Sequence, residues 1–153
     1  MARRRRRRIP IFVLVLLRHP DGRFLVSEDR YQGERIARCY LPADELDYGE
    51  SAEQRVNGFF RETLAVELAA VKPLGTLENR EYDDRRIEFY HELILLYEAR
   101  FADVSLYERS TLQGRTERGE SLELCWRGLE ELDGQRRRLV PAVLQERLNL
   151  LLA

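Results

Sequence analysis

The chain has 153 residues, enough for one domain with a substantial core. Its composition, 44% hydrophobic and 35% charged, is that of a soluble globular protein, and a net charge of −1 excludes a molecule built as a whole to attract polyanions. Two cysteines, Cys39 and Cys125, exclude a disulfide framework and make no metal-ligand spacing, so they read as reduced thiols of a cytoplasmic protein.

In chain order, residues 1–8 form an arginine-rich tail, with Arg3 to Arg8 as an unbroken run. The tail reads as a solvated segment, and binding to nucleic acid or anionic lipid through charge alone is the alternative. With Ile9 to Leu17 behind it, the run imitates the start of a signal peptide. No small-residue cleavage site follows, and the apolar stretch is too short to cross a bilayer. Residues 9–153 are therefore expected to form a single domain with no membrane partner. Ile9 to Leu17 is expected as a buried strand, Pro20-Asp21-Gly22 as a turn and Phe24 to Ser27 as a second strand. Residues 28 to 37 read as a polar loop broken at Gly33.

The stretch LPADELDYGESAEQRVNGFFRETLAV, Leu41 to Val66, reads as a strand end, a loop closed by Gly49-Glu50-Ser51, and one amphipathic helix over residues 52 to 64. Ser51 and Gln54 have capping-box spacing, in which hydroxyl and amide each serve the other's backbone N–H. Val56, Phe60 and Leu64 recur at i, i+4 and i+8 and should face a core. Gly58 is an unfavourable residue for the middle of such a helix.

Beyond the helix, Leu68 to Val71 reads as a short strand ended by Pro73 and Gly75. Thr76 to Tyr82 and Ile87 to Phe101 read as a hairpin around Asp83-Asp84. Alternation puts Phe89 and His91 on one face and Tyr90 and Glu92 on the other. His91 reads either as a core histidine with a satisfied hydrogen bond or as a substrate contact. Glu92 reads either as a solvated strand residue or as a site residue. Residues 102 to 121 read as a long polar loop, Leu122 to Arg127 as the last strand, and Pro141 as the opening of a helix with a Leu144, Leu148, Leu151 stripe.

Several of these pieces resemble one family. The segment from Asp44 to Val66 is similar to a Nudix box, G-x5-E-x7-R-E-U-x-E-E-x-G-U with U apolar. Cys39-Tyr40-Leu41-Pro42, Glu78-Asn79-Arg80, His91-Glu92 and Trp126 to Leu132 resemble other parts of Nudix domains. Anchored on Gly49-Glu50-Ser51, the register gives Glu50 the first glutamate and Glu62 the first of the paired glutamates. Asp44 stands for the first glycine, Gly58 and Phe59 for Arg-Glu, Thr63 for the second paired glutamate and Ala65 for the last glycine. A register shifted by three puts Glu53, Arg61 and Glu62 on the E-x7-R-E part and loses the paired glutamates instead.

The resemblance implies an α/β fold, a Nudix-type α/β/α sandwich around a mixed β-sheet. It implies a Mg²⁺-dependent pyrophosphohydrolase of nucleoside-diphosphate-linked compounds, of the ADP-ribose or nucleoside triphosphate type. In that reading Glu62 and Glu50 are catalytic, Glu62 and Glu120 hold the metal, and Phe59, His91 and Glu92 touch substrate. Glu120 reads equally as an exposed loop carboxylate. Mg²⁺ is a hard ion that takes oxygen ligands, and positions 59, 62 and 63 share one helical face on which only Glu62 is acidic. Hydrolysis is therefore expected to be weakened or lost, with Mg²⁺ or Mn²⁺ as cofactor if the protein is active. The alternatives are an active hydrolase with a rearranged carboxylate set, Glu62 with Glu50, Glu120 or Glu92, and a non-catalytic regulatory or protein-interaction module. The expected partner is a nucleotide-like diphosphate, with a homodimer left open.

Overall fold

The computed structural model describes residues 7–84 and 86–152. Strand β1 (Ile11–Leu17) is apolar on both faces because both faces are covered. Leu14 and Leu16 cluster with Leu144 and Leu148, whereas Val13, Val15 and Leu17 cluster with Val56 and Phe60. The first pair of partners belongs to helix α2 (Ala142–Leu151) and the second to helix α1 (Ala52–Leu64). The two helices thus cover opposite faces of β1, which is the expected α/β/α layering.

The strands form two mixed sheets. In the first, β1 pairs in parallel with β6 (Glu88–Phe101) and antiparallel with the edge strand β4 (Ala43–Glu45). The long strand β5 (Leu68–Asp83) pairs with β6 and forms the other edge. In the second sheet the order is β7 (Thr111–Arg115), β8 (Ser121–Arg127), β2 (Phe24–Asp29), β3 (Ala37–Tyr40) and β9 (Arg137–Leu139). No helix among the described residues is long and apolar enough to cross a membrane.

Helix α1 lies where the periodicity puts it. Ser51 Oγ accepts from the Gln54 N–H at 3.1 Å, and the Gln54 side-chain carbonyl accepts from the Ser51 N–H at 2.9 Å. Val56 and Phe60 are buried, and Leu64 packs against the same cluster while partly buried. The helix ends at Ala65, whose φ of 56° is left-handed, a conformation that favours glycine.

Four expectations are corrected. Pro73 and Gly75 do not end a strand; β5 runs through them with register shifts between Ala69 and Lys72 and between Pro73 and Gly75. An edge strand tolerates proline and bulges because one side of its backbone needs no partner. The region 102 to 121 is not one loop. It contains a short 3₁₀ helix (Val104–Glu108) and β7, whose single fully buried residue, Leu112, leaves little apolar pattern to read. Strand β9 was not expected for the same reason, since only Leu139 of its three residues is buried. In α2, Leu144 and Leu148 are buried but Leu151 is 41% exposed. Of the arginine run, Arg3 to Arg6 lie outside the described residues, and Arg7 and Arg8 are exposed.

Gly114 shows why β7 sits where it does. A Cβ there would stand 2.0 Å from the Thr63 carbonyl oxygen, so only glycine lets β7 pass under the end of α1.

Candidate functional site

The side of α1 that carries the box is organised by Arg55, which is only 7% exposed. Three carboxylates meet its guanidinium, each delivered by a different element. Asp44 of β4 lies 3.5 Å from Nε, Glu50 of the preceding loop 3.5 Å from Nη1, and Glu62, two turns along α1, 2.8 Å from Nη2. Only the Glu62 contact has charge-assisted hydrogen-bond geometry. Arg55 Nε and Glu50 Oε1 are buried without a hydrogen-bond partner. Burial works against the charge on Arg55, but the Glu62 hydrogen bond and the charges of Glu62, Asp44 and Glu50 outweigh it and raise its pKa.

Gly58 belongs to this arrangement. A Cβ at position 58 would lie 2.8 Å from Arg55 Nη2 and 3.4 Å from Cζ. The guanidinium therefore fills space that any side chain at 58 would contest. Sequence reasoning marked Gly58 as the place of a lost arginine and did not single out Arg55. The available signal was the i, i+3 spacing that stacks 55 and 58 on one face.

The other expected site residues are divided. Glu50 and Glu62 are brought together on Arg55. Phe59 packs edge-to-face on Phe60 with ring centres 5.4 Å apart and joins the core cluster under α1. Thr63 turns its hydroxyl back to the Phe59 carbonyl, a 2.6 Å hydrogen bond. Glu120 sits in the β7–β8 turn, closed by the Thr116 N–H to Glu120 carbonyl bond at 2.9 Å, and is not among the carboxylates on Arg55.

His91 and Glu92 point to opposite faces of β6. His91 Nε2 is 3.3 Å from Glu78 on the hairpin's open side. Glu92 lines a cleft of about 870 Å³ and accepts a 3.1 Å hydrogen bond from the buried Asn79 amide. Tyr40, Tyr82, Tyr90 and Arg38 also line this cleft. Arg38 lies 4.4 Å from the centre of the Tyr31 ring and bonds Glu34 at 2.9 Å. Burial is the largest influence on the Tyr40 phenol and raises its pKa. Ala43 lines the cleft, while its neighbour Asp44 reaches Arg55. The cleft and the Arg55 cluster thus lie on opposite sides of the edge strand β4.

The Mg²⁺ implied by the resemblance can be tested against these donors. Among the described residues no three His, Cys, Asp or Glu side chains come together as a metal shell. The relevant helix face offers Glu62 with Phe59 and Thr63, and the Glu62 carboxylate is bonded to Arg55. These residues do not fit a magnesium–phosphate site. The thiols are also quiet: burial, with Glu28 beside it, pushes Cys39 up to about 12, and burial raises Cys125.

No family model matches the sequence, and no curated protein matches it. Solved structures do. A MutT NUDIX hydrolase from Burkholderia pseudomallei is similar at a TM-score of 0.60 and 19% identity, over 96% of this chain and 99% of that one. The NUDIX domain of Shewanella oneidensis NrtR, solved with ADP ribose, gives 0.59 and 18%, over 97% and 91%. A NUDIX hydrolase from Nitrosomonas europaea gives 0.56 and 14%, over 90% and 85%. Identities this low speak for architecture alone, and the architecture they share with this chain is the Nudix hydrolase fold.

Proposed function

We propose that the chain binds a nucleotide-like diphosphate, of the ADP-ribose or nucleoside triphosphate kind, and hydrolyses it slowly or not at all. The observation that carries this reading is the juxtaposition across β4. An aromatic and arginine-bearing cleft lies on one side, and the box carboxylates, held by Arg55, on the other. Tyrosine faces suit a planar base, and arginine suits phosphate. Glu92 and Asn79 on the cleft wall supply polar groups that orient such a ligand. The NrtR domain bound to ADP ribose supports this ligand class. The unpaired thiols suit a cytoplasmic setting.

Slow chemistry follows from Phe59 and Thr63 at carboxylate positions and from the engagement of Glu62. Loss of one strong electrostatic contributor costs about 10²–10³ in rate, and losses within one site do not multiply. Because Glu50 and Glu62 do converge on Arg55, a second reading is an active hydrolase on a rearranged carboxylate set built around these two. Calorimetric titration with ADP-ribose and ATP, with and without Mg²⁺, followed by chromatography of products, separates the readings. The expected result is saturable binding with far slower product formation than a complete Nudix box gives. Brisk turnover that depends on Glu62 would establish the second reading. Failure to bind any such compound would leave an interaction module.

A further inference from the structure

The first sheet ends at β5, and among the described residues no strand pairs with its outer edge. Such an edge carries a row of unpaired backbone groups, which folded proteins blunt with proline, bulges or charge, lysine above all. The first half of β5 is blunted in this way, with Lys72, Pro73 and two register shifts between Ala69 and Gly75. The second half is not. From Gly75 to Asp83 the register against β6 is unbroken, with no proline and no lysine. Thr76, Glu78, Arg80 and Tyr82 are exposed along it.

The charges Glu78 and Arg80 would repel most strands, but their order is self-complementary. Residues directly opposite in an antiparallel pair point to the same side of the sheet. A twofold axis normal to the sheet therefore passes through a residue and pairs positions equally far on either side of it. Centred on Glu78, it sets that carboxylate against its own copy, and centred on Arg80 it sets arginine against arginine. Centred on Asn79, it sets each Glu78 against the other copy's Arg80. Asn79 is also the midpoint of the regular run from Gly75 to Asp83, so the register that joins the charges is the one that uses the whole run. Within one chain the two groups have other contacts: Glu78 lies 3.3 Å from His91, and Arg80 lies over the Phe89 ring, 5.7 Å from its centre.

We propose that β5 pairs with β5 of a second copy of this chain, antiparallel about a twofold axis through Asn79, so that the two first sheets become one continuous sheet. The partner is another copy rather than a foreign strand because the edge's own charges supply the complement. The dimer forms whether or not the cleft takes a nucleotide.

The test is the mass of the full chain in solution, by sedimentation velocity over a concentration series, for the wild type, Arg80→Glu, Glu78→Arg and an equimolar mixture of the two variants. The wild type should sediment as a dimer. Each variant alone sets like charges opposite one another across the axis and should fall to half that mass. Mixed, the two variants again set glutamate against arginine and should regain the dimer mass. Amide hydrogen exchange of the wild type reads the same edge without any substitution, and exchange within residues 76–82 should slow as concentration drives dimerisation. A wild type that stays monomeric overturns the proposal and leaves the edge to a strand of another protein. So does a dimer that survives both single variants, or a pair of folded monomeric variants that stay apart when mixed. If either variant fails to fold, the exchange measurement decides, and a dimer whose residues 76–82 exchange as fast as the monomer's overturns the proposal.

Discussion

Arg55 and Gly58 share a volume, so a change at one reads differently according to the other. In an open helix, Gly58→Ala would stabilise by about 1 kcal/mol. Here the new methyl displaces a guanidinium held by Asp44, Glu50 and Glu62. A hydrogen bond to a charged group contributes about 1.5–3 kcal/mol, less where solvent reaches it as at Glu62. We expect Gly58→Ala to lower the melting temperature in the wild type and to raise it in the Arg55→Gln background. A double-mutant cycle by thermal or urea melting measures that sign change. Equal effects in both backgrounds would mean the two residues are uncoupled. The span and cap of α1 were legible because they rest on local spacing. Arg55 was not, because its importance comes from Asp44 and Glu50, whose approach the sequence does not display.

At the scale of elements, the second sheet has a polar fastening. Glu28 of β2 accepts from Arg127 of β8 at 3.1 Å and from Arg137 of β9 at 2.6 Å, both on one oxygen. The Cys39 thiol of β3 donates to the same oxygen at 3.5 Å. Burial raises the pKa of Glu28, but the hydrogen bonds and charges of the two arginines outweigh it, and the net shift is downward from 4.5. A depressed folded pKa means stability that is present above the ordinary value and is lost as the pH falls through the lowered one. Glu28→Gln should cost about 1–2 kcal/mol at neutral pH and flatten the acid limb of stability between those two values. Urea melts across that range check it, and an unchanged acid limb would remove Glu28 from the account. The continuous apolar run of β1, the alternation along β6 and the helical period of α1 made these elements legible. Strands β7 and β9 were not, because each buries one leucine and takes its structure from a neighbour's edge. The bulged β5 was cut short by reading Pro73 and Gly75 as breakers, a rule that applies to paired strands and not to an edge.

For the molecule as a whole, the layering follows from one strand with two apolar faces, and β1 announced that in its composition. What lies across the layers was less visible. Alternation separated His91 from Glu92, but only the fold shows which face carries the cleft. The parallel pairing of β3 with β9 has a consequence for how the chain comes to be folded at all. Arg137 meets Glu28 across 109 residues, and among the described residues the outer edge of β3 has no other strand to pair with. During synthesis that edge stays open until residues 137–139 have emerged, and the cluster that receives Leu144 and Leu148 stays uncovered until α2 follows. Bare strand edges beside uncovered apolar surface are what draw nascent chains into aggregates. A chain ended after Arg136 should therefore partition into the insoluble fraction, while the full chain made at the same rate stays in solution. Fractionation by centrifugation after cell-free synthesis measures this directly. A soluble, monomeric truncated product would show that the first 136 residues close their own edge.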